Sequence, residues 1–187
     1  MKEGKLQIVI LAGFSAVGKS TLSSNFCDRY GWDLIKHQEL VHGIATSKGY
    51  ARARYWLKDV GIETFMSESV AEMINRIGKT ENPKGILIDA SYGPSMIEGI
   101  KKAFPGAKVV TAAILAEPET RESRMIGRMG AEREVARAEK EFRDGFLKDA
   151  GVEKVISESE ITIYNKGEIG VAIGELTNGL QALGFSL

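Results

Sequence analysis

Short apolar runs alternate with longer amphipathic stretches along this chain. Leu6 to Leu11 (Leu-Gln-Ile-Val-Ile-Leu) is mostly apolar and runs into Ala12-Gly13, the pattern of a strand buried on both faces. Asp33-Leu34-Ile35-Lys36 follows a stop at Gly31 and reads as a second strand. Gly85 to Asp89, Lys108 to Leu115 and Ile161 to Tyr164 read as three more. Helical spacing fills the gaps. Leu22, Phe26 and Tyr30 recur every fourth residue. Residues 38–78 read as largely helical, with breaks near Gly49 and Gly61. Within them Ile62, Phe65, Met66, Val70, Met73, Ile74 and Ile77 form an apolar stripe, read as core. Residues 79–84 read as a polar loop.

Pro94 opens a helix that runs to Phe104. Pro118 opens an Arg-rich helix, where a missing N–H does no harm, and Gly127 and Gly130 are expected to interrupt it. A further helix is expected to place Val135, Ala138, Phe142 and Phe146 on one face. The last should bury Ile169, Ile173, Leu176, Leu180 and Leu183. The four prolines (Pro83, Pro94, Pro105, Pro118) fall where elements begin or end. Strands that alternate with helices predict an α/β fold, with a parallel sheet covered on both faces. Ligands then belong at the carboxyl ends of the strands. The segment after Ala12, His37, Asp89 and the segment after Leu115 all fall there.

With 187 residues the chain reads as one domain, long enough for a full core. Its 25 basic and 25 acidic residues cancel, so no strong field steers it to nucleic acid or an anionic membrane. Cys27 is the one cysteine, which excludes an intrachain disulfide and a cysteine-based zinc site. Its helical position reads as packing rather than a reactive thiol. The N-terminal apolar run is too short for a membrane span and too quickly followed by the glycine-rich segment from Gly13 to be read as a signal peptide. A cytoplasmic enzyme is expected, as monomer or homodimer.

Gly13-Phe14-Ser15-Ala16-Val17-Gly18-Lys19-Ser20-Thr21 fits G-x-x-x-x-G-K-[ST], the Walker A phosphate loop. Gly13 and Gly18 allow tight turns, so that amides of the loop, Ser15, Ala16 and Val17 included, point at phosphate oxygens. Lys19 supplies a point charge for the β- and γ-phosphates. The Ser20 hydroxyl suits Mg²⁺, a hard cation. Thr21 is placed for the α-phosphate. Strand, loop and helix follow one another, so the anion would sit at a helix N-terminus.

Other candidates lie on the same edge. Asp89 ends an apolar strand, as a Mg²⁺-organising acid would; a helix cap or turn is the alternative. Arg121, Arg124 and Arg128 share a helix face at i, i+3 and i+7. Guanidiniums suit the oxygens of a transferring phosphoryl group, and Arg124 and Arg128 flank the segment where a lid should hinge. A solvated face paired with nearby glutamates is the other reading. His37 or Glu39 could serve as a general base; capping or surface roles explain them equally. Arg52 and Arg54, within Tyr50 to Trp56, could hold an anionic acceptor or be ordinary surface arginines. Asn165-Lys166-Gly167 could lie against a purine ring or be a simple turn.

Together these motifs resemble the P-loop nucleoside-monophosphate-kinase family, in particular its adenylate-kinase-like and dephospho-CoA-kinase-like members. The carriers are Gly13 to Thr21, Ile86-Leu87-Ile88-Asp89, Arg124-Met125-Ile126-Gly127-Arg128 and Ile163-Tyr164-Asn165-Lys166-Gly167. The resemblance implies a five-stranded parallel sheet flanked by helices, an Arg-rich lid at about 124–140 and an acceptor-binding insertion at about 38–80. It implies ATP and Mg²⁺, transfer of the γ-phosphoryl group to a nucleotide-like small molecule, and an adenine site at Asn165 to Gly167. The chain departs from the pattern in two places. Residues 38–78 lack a clear monophosphate signature, and Asp89 is followed by Ala90-Ser91-Tyr92-Gly93-Pro94 instead of Gly-x-Pro-Arg. A hydroxyl acceptor, as in dephospho-CoA or small-metabolite kinases, and an ATP-binding switch without a small acceptor stay open.

Overall fold

A computed structural model describes residues 5–81, 84–89 and 93–187. The N-terminal residues 1–4, the Pro83 element end and the departure at Ala90-Ser91-Tyr92 lie outside the described residues. The strands are β1 (Gln7–Ala12), β2 (Asp33–Lys36), β3 (Ile86–Asp89), β4 (Lys108–Leu115) and β5 (Ile161–Tyr164). The helices are α1 (Lys19–Tyr30), α2 (His37–Ser47), α3 (Ala53–Gly78), α4 (Pro94–Ala103), α5 (Pro118–Met129), α6 (Arg133–Asp149), α7 (Val152–Ser157) and α8 (Ile169–Ala182). The sheet has the order β2-β3-β1-β4-β5, and every neighbouring pair is parallel. The expected five-stranded parallel α/β architecture is the one observed.

Period-two alternation explains how one strand serves two cores. Val9 and Leu11 face one side of the sheet, with Leu22 and Phe26 of α1 and Leu176 and Leu180 of α8. Ile8 and Ile10 face the other, with Met73 and Ile77 of α3 and Met96 and Ile100 of α4. All six residues of β1 are buried, as a central strand with helices on both sides requires. A third cluster stands away from the sheet. Val41 and Ala45 of α2 meet Trp56, Phe65 and Met66 of α3, with Phe146 of α6 packed against them. Among the described residues no helix is long and apolar enough to cross a membrane.

Three helix expectations need correction. Gly127 does not interrupt α5, which runs unbroken to Met129 and ends at Gly130. One glycine costs a helix about 1 kcal/mol and need not break it. On α6 the buried residues are Ala136 and Leu147, while Val135 and Phe142 are 53% and 59% exposed. That helix lies against α5 and the third cluster rather than the sheet, so its inward face is set by those partners. On α8, Ala172 is buried and Leu183, past the helix end, is 38% exposed. The six-residue α7 is too short to show a period in the sequence. The break at Gly61 is real: the residue has φ 77° and ψ 167° and kinks α3.

Trp56 is fully buried in the third cluster. Trp56→Ala should lower unfolding stability by about 3–5 kcal/mol, read from the chemical denaturation midpoint. A change under about 1 kcal/mol would mean that the cluster adds little to the fold.

Candidate active site

The chain leaves β1 through a turn that only glycine fits. Gly13 has φ 146°, and a Cβ there would lie 2.5 Å from the Ile114 carbonyl oxygen of β4. Gly18, at φ 104°, precedes α1, and its Cβ would lie 2.2 Å from the Asn165 side-chain nitrogen. Ala16 is the one non-glycine with positive φ, 61°, among the described residues. That conformation costs an L-residue roughly 1–2 kcal/mol. The result is a backbone cradle at the N-terminus of α1, where helix amides lack intrahelical partners.

Lys19 sits inside the cradle and donates to the carbonyls of Gly13 at 2.8 Å and Phe14 at 2.9 Å. Burial of its ammonium lowers its pKa to about 8, partly offset by Asp89. Arg121, Asp144 and Arg128 also act on this charge, Asp144 raising the pKa and the arginines lowering it.

One cavity of about 780 Å³ extends from the cradle to the third cluster. Ser15, Ala16, Gly18, Lys19, Ser20 and Thr21 line one end, with Asp89, Arg124, Arg128, Asn165 and Gly167. His37, Arg52, Arg54, Leu57 and Phe65 line the other, facing Glu139, Phe142 and Arg143 of α6. The oxygen donors of Ser20 and Asp89 are the hard ligands that Mg²⁺ takes alongside phosphate oxygens and water. The cradle and this donor set fit a Mg-nucleotide.

No family model and no curated protein matches the chain. Solved structures do. A gluconokinase from Sinorhizobium meliloti superposes with a TM-score of 0.64 at 14% identity, over 96% of this chain and 94% of its own. A shikimate kinase from Aquifex aeolicus does so at 0.64 and 16%, over 94% and 97%. A sugar kinase from Janibacter gives 0.62 and 16%, over 95% of both chains. The chain has the P-loop kinase fold. At these identities the likeness is one of architecture.

Within that fold, the cavity gathers most of the residues singled out from the sequence. Gly13 shapes the loop from behind, Val17 is buried in the core and Lys166 is exposed; none of these three is part of the cavity wall. The Asn165 side chain turns to the phosphate loop. It donates to the Val17 carbonyl at 2.7 Å and accepts from Gly167 N–H at 3.1 Å. Arg124 likewise donates to the carbonyls of Val17 at 2.9 Å and Ala16 at 3.3 Å. Arg128 is exposed and lines the cavity.

His37 is 1% exposed, and burial pushes its pKa down to about 3. Its imidazole is therefore neutral at any ordinary pH and a weak base. Glu39 is paired with Lys36 at 3.2 Å and lines a separate groove. Cys27 is buried with its thiol pKa pushed up to about 12, consistent with packing.

The sequence carries no local signal for Asp144 and does not set Arg121 ahead of its two neighbours. Arg121 donates to the Ser15 carbonyl at 2.8 Å and pairs with Asp144, which accepts from Ser15 N–H at 3.0 Å. The spacing of Arg121 from Arg124 was visible; the link to Asp144, 23 residues on, was not.

A phosphate in the cradle would be held by the charged form of Lys19 only. Affinity for Mg-ATP should hold up to pH about 8 and fall roughly tenfold per pH unit above it, measured by calorimetry. A flat profile would put the ammonium out of reach of the phosphates.

Proposed function

We propose that this chain is an ATP-dependent small-molecule kinase that transfers the γ-phosphoryl group to an anionic, nucleotide-like acceptor. The carrying observation is one continuous cavity, with a phosphate cradle at one end and arginines over an apolar wall at the other. Lys19 and the loop amides hold the donor phosphates. Thr21 and the segment Asn165-Lys166-Gly167 hold the rest of the nucleotide. Bound Mg²⁺, held through Ser20 and Asp89, would neutralise charge on the phosphate oxygens. Arg52 and Arg54 hold the acceptor's anion, beside His37. Leu57, Phe65 and Phe142 take its flat apolar body.

An acceptor oxygen attacks the γ-phosphorus, the bond to the bridging oxygen breaks, and ADP carries away the electron pair. An acceptor phosphate is already ionised and needs no base. Arg128, on the hairpin of α5 and α6, follows the transferring group as the hairpin closes. Closure excludes water, a competing acceptor, and strengthens the electrostatics.

Transfer to a hydroxyl is the second reading, favoured by the kinases named among the structural neighbours. It needs a base, and Asp89 is the better candidate because His37 is too weakly basic and Glu39 lies elsewhere. The wall of Leu57, Phe65 and Phe142 gives a flat apolar body a face to pack on, which supports the first reading, while Arg52, Arg54, Glu139 and Arg143 beside it would serve a polyol's hydroxyls in the second.

ADP release should be followed with a panel of nucleoside monophosphates, dephospho-CoA and small hydroxy acids, with Lys19→Ala as control. A Lys19-dependent response to one monophosphate is expected. A response confined to hydroxyl acceptors would overturn the acceptor assignment, and no response to any would overturn the kinase. Arg128→Ala should lower kcat roughly 100-fold with little change in ATP binding. Arg54→Ala should instead raise the acceptor KM about tenfold.

A further inference from the structure

Five successive carbonyls of the phosphate loop are each met by a side-chain donor. Lys19 takes Gly13 and Phe14. Arg121 takes Ser15. Arg124 takes Ala16 and Val17, and Asn165 adds a second donor to Val17. Lys19 has three N–H donors, so two go to these carbonyls and one remains for a phosphate. The other three are held by residues outside the loop, and two of these donors sit one turn apart on α5.

The placement bears on the strained peptide. Ala16 has φ 61°, a conformation that persists only where the surroundings over-determine it. Arg124 donates to the carbonyls on both sides of the Ala16–Val17 junction. Asp144 and Arg121 grip the Ser15 residue before it, at N–H and C=O. Among the described residues, Arg121 and Asp144 are not part of the cavity wall, so this grip acts from behind the loop. The Arg121–Asp144 pair is little exposed, at 12% and 14% for the two side chains, which shields it from solvent screening.

We propose that α5 is a strap on the phosphate loop. Arg121 and Arg124 are positioning residues that hold its carbonyls outward, with Asp144 and Asn165 holding the arginines. The remaining loop amides are thereby set inward for phosphate before any ligand arrives. Because α5 also opens the hairpin that carries Arg128, the strap ties the hairpin's base to the loop. The inference rests on the loop being the donor-phosphate site and deepens it. It gives Arg124 a different task from Arg128, although the two share a helix face.

The test is a double-mutant cycle on Ala16 and Arg124. Glycine takes positive φ freely, so a loop with Ala16→Gly has less need of the strap. Binding of Mg-ATP and of inorganic tripolyphosphate, which has no base or sugar, would be measured by calorimetry. Arg124→Ala should weaken both ligands alike, by tenfold or more. Adding Ala16→Gly should restore most of that loss, which a general loss of stability would not do. Arg124→Lys should fall between, since an ammonium keeps a charged donor for the carbonyls but lacks the second nitrogen that donates to the Asn165 side chain; it also serves if Arg124→Ala does not fold. Loss of ATP binding with tripolyphosphate unaffected would overturn the strap and put Arg124 on the nucleoside. Absence of rescue by Ala16→Gly would also overturn it. Intact binding by a wild type that phosphorylates no acceptor would instead overturn the kinase and leave the strap standing.

Discussion

A loop that turns its amides toward an anion must turn its carbonyls away from one, and those carbonyls need donors. Partly buried carbonyls left unpaired would cost stability. In this chain the donors are Lys19, Arg121, Arg124 and Asn165. They come from α1, from α5 and from the turn after β5, so the loop's conformation depends on elements far apart in sequence. The sheet makes that meeting possible. Parallel strands deliver β1, β3, β4 and β5 to one edge, and each releases its chain there. Gly13 passes so close to the Ile114 carbonyl that β4 and the loop share one contact surface.

The two ends of the cavity are built by different means. The phosphate-loop end is backbone shaped by sheet and glycine. The far end is made of side chains on and beside helices, held by the cluster of Trp56, Phe65 and Met66 with Phe146 of α6. That cluster is separate from the two that face the sheet. The wall it supports can therefore vary in shape and charge while the cradle stays fixed. A fold shared with gluconokinase and shikimate kinase consequently leaves the acceptor open. His37 shows how position overrides residue type. At the end of β2 it reads as a titrating base, yet burial leaves it neutral.

Much of the fold was legible in the sequence for a physical reason. Strands β2, β4 and β5 were read to the residue because short apolar runs between turn signals are local facts. The cradle was legible because its chemistry is contiguous: nine residues carry the glycines, the lysine and the hydroxyls. The faces of α6 were not. Val135 and Phe142 keep the right spacing for burial, but α5 and the third cluster chose another face. Gly127 reads as a break and is carried by the helix around it.

The chain by itself determined the order of strands and helices, the parallel sheet and the identity of the phosphate loop, since each follows from neighbouring residues. Only the tertiary structure decided what the polar side chains touch. Asn165 and Arg124 are at the positions expected for nucleotide contacts, yet their hydrogen bonds go to the loop's carbonyls. Asp144 carries no local signal and becomes part of the site by gripping Ser15 across 129 residues. Such contacts depend on where whole elements pack, and no spacing within one element encodes that.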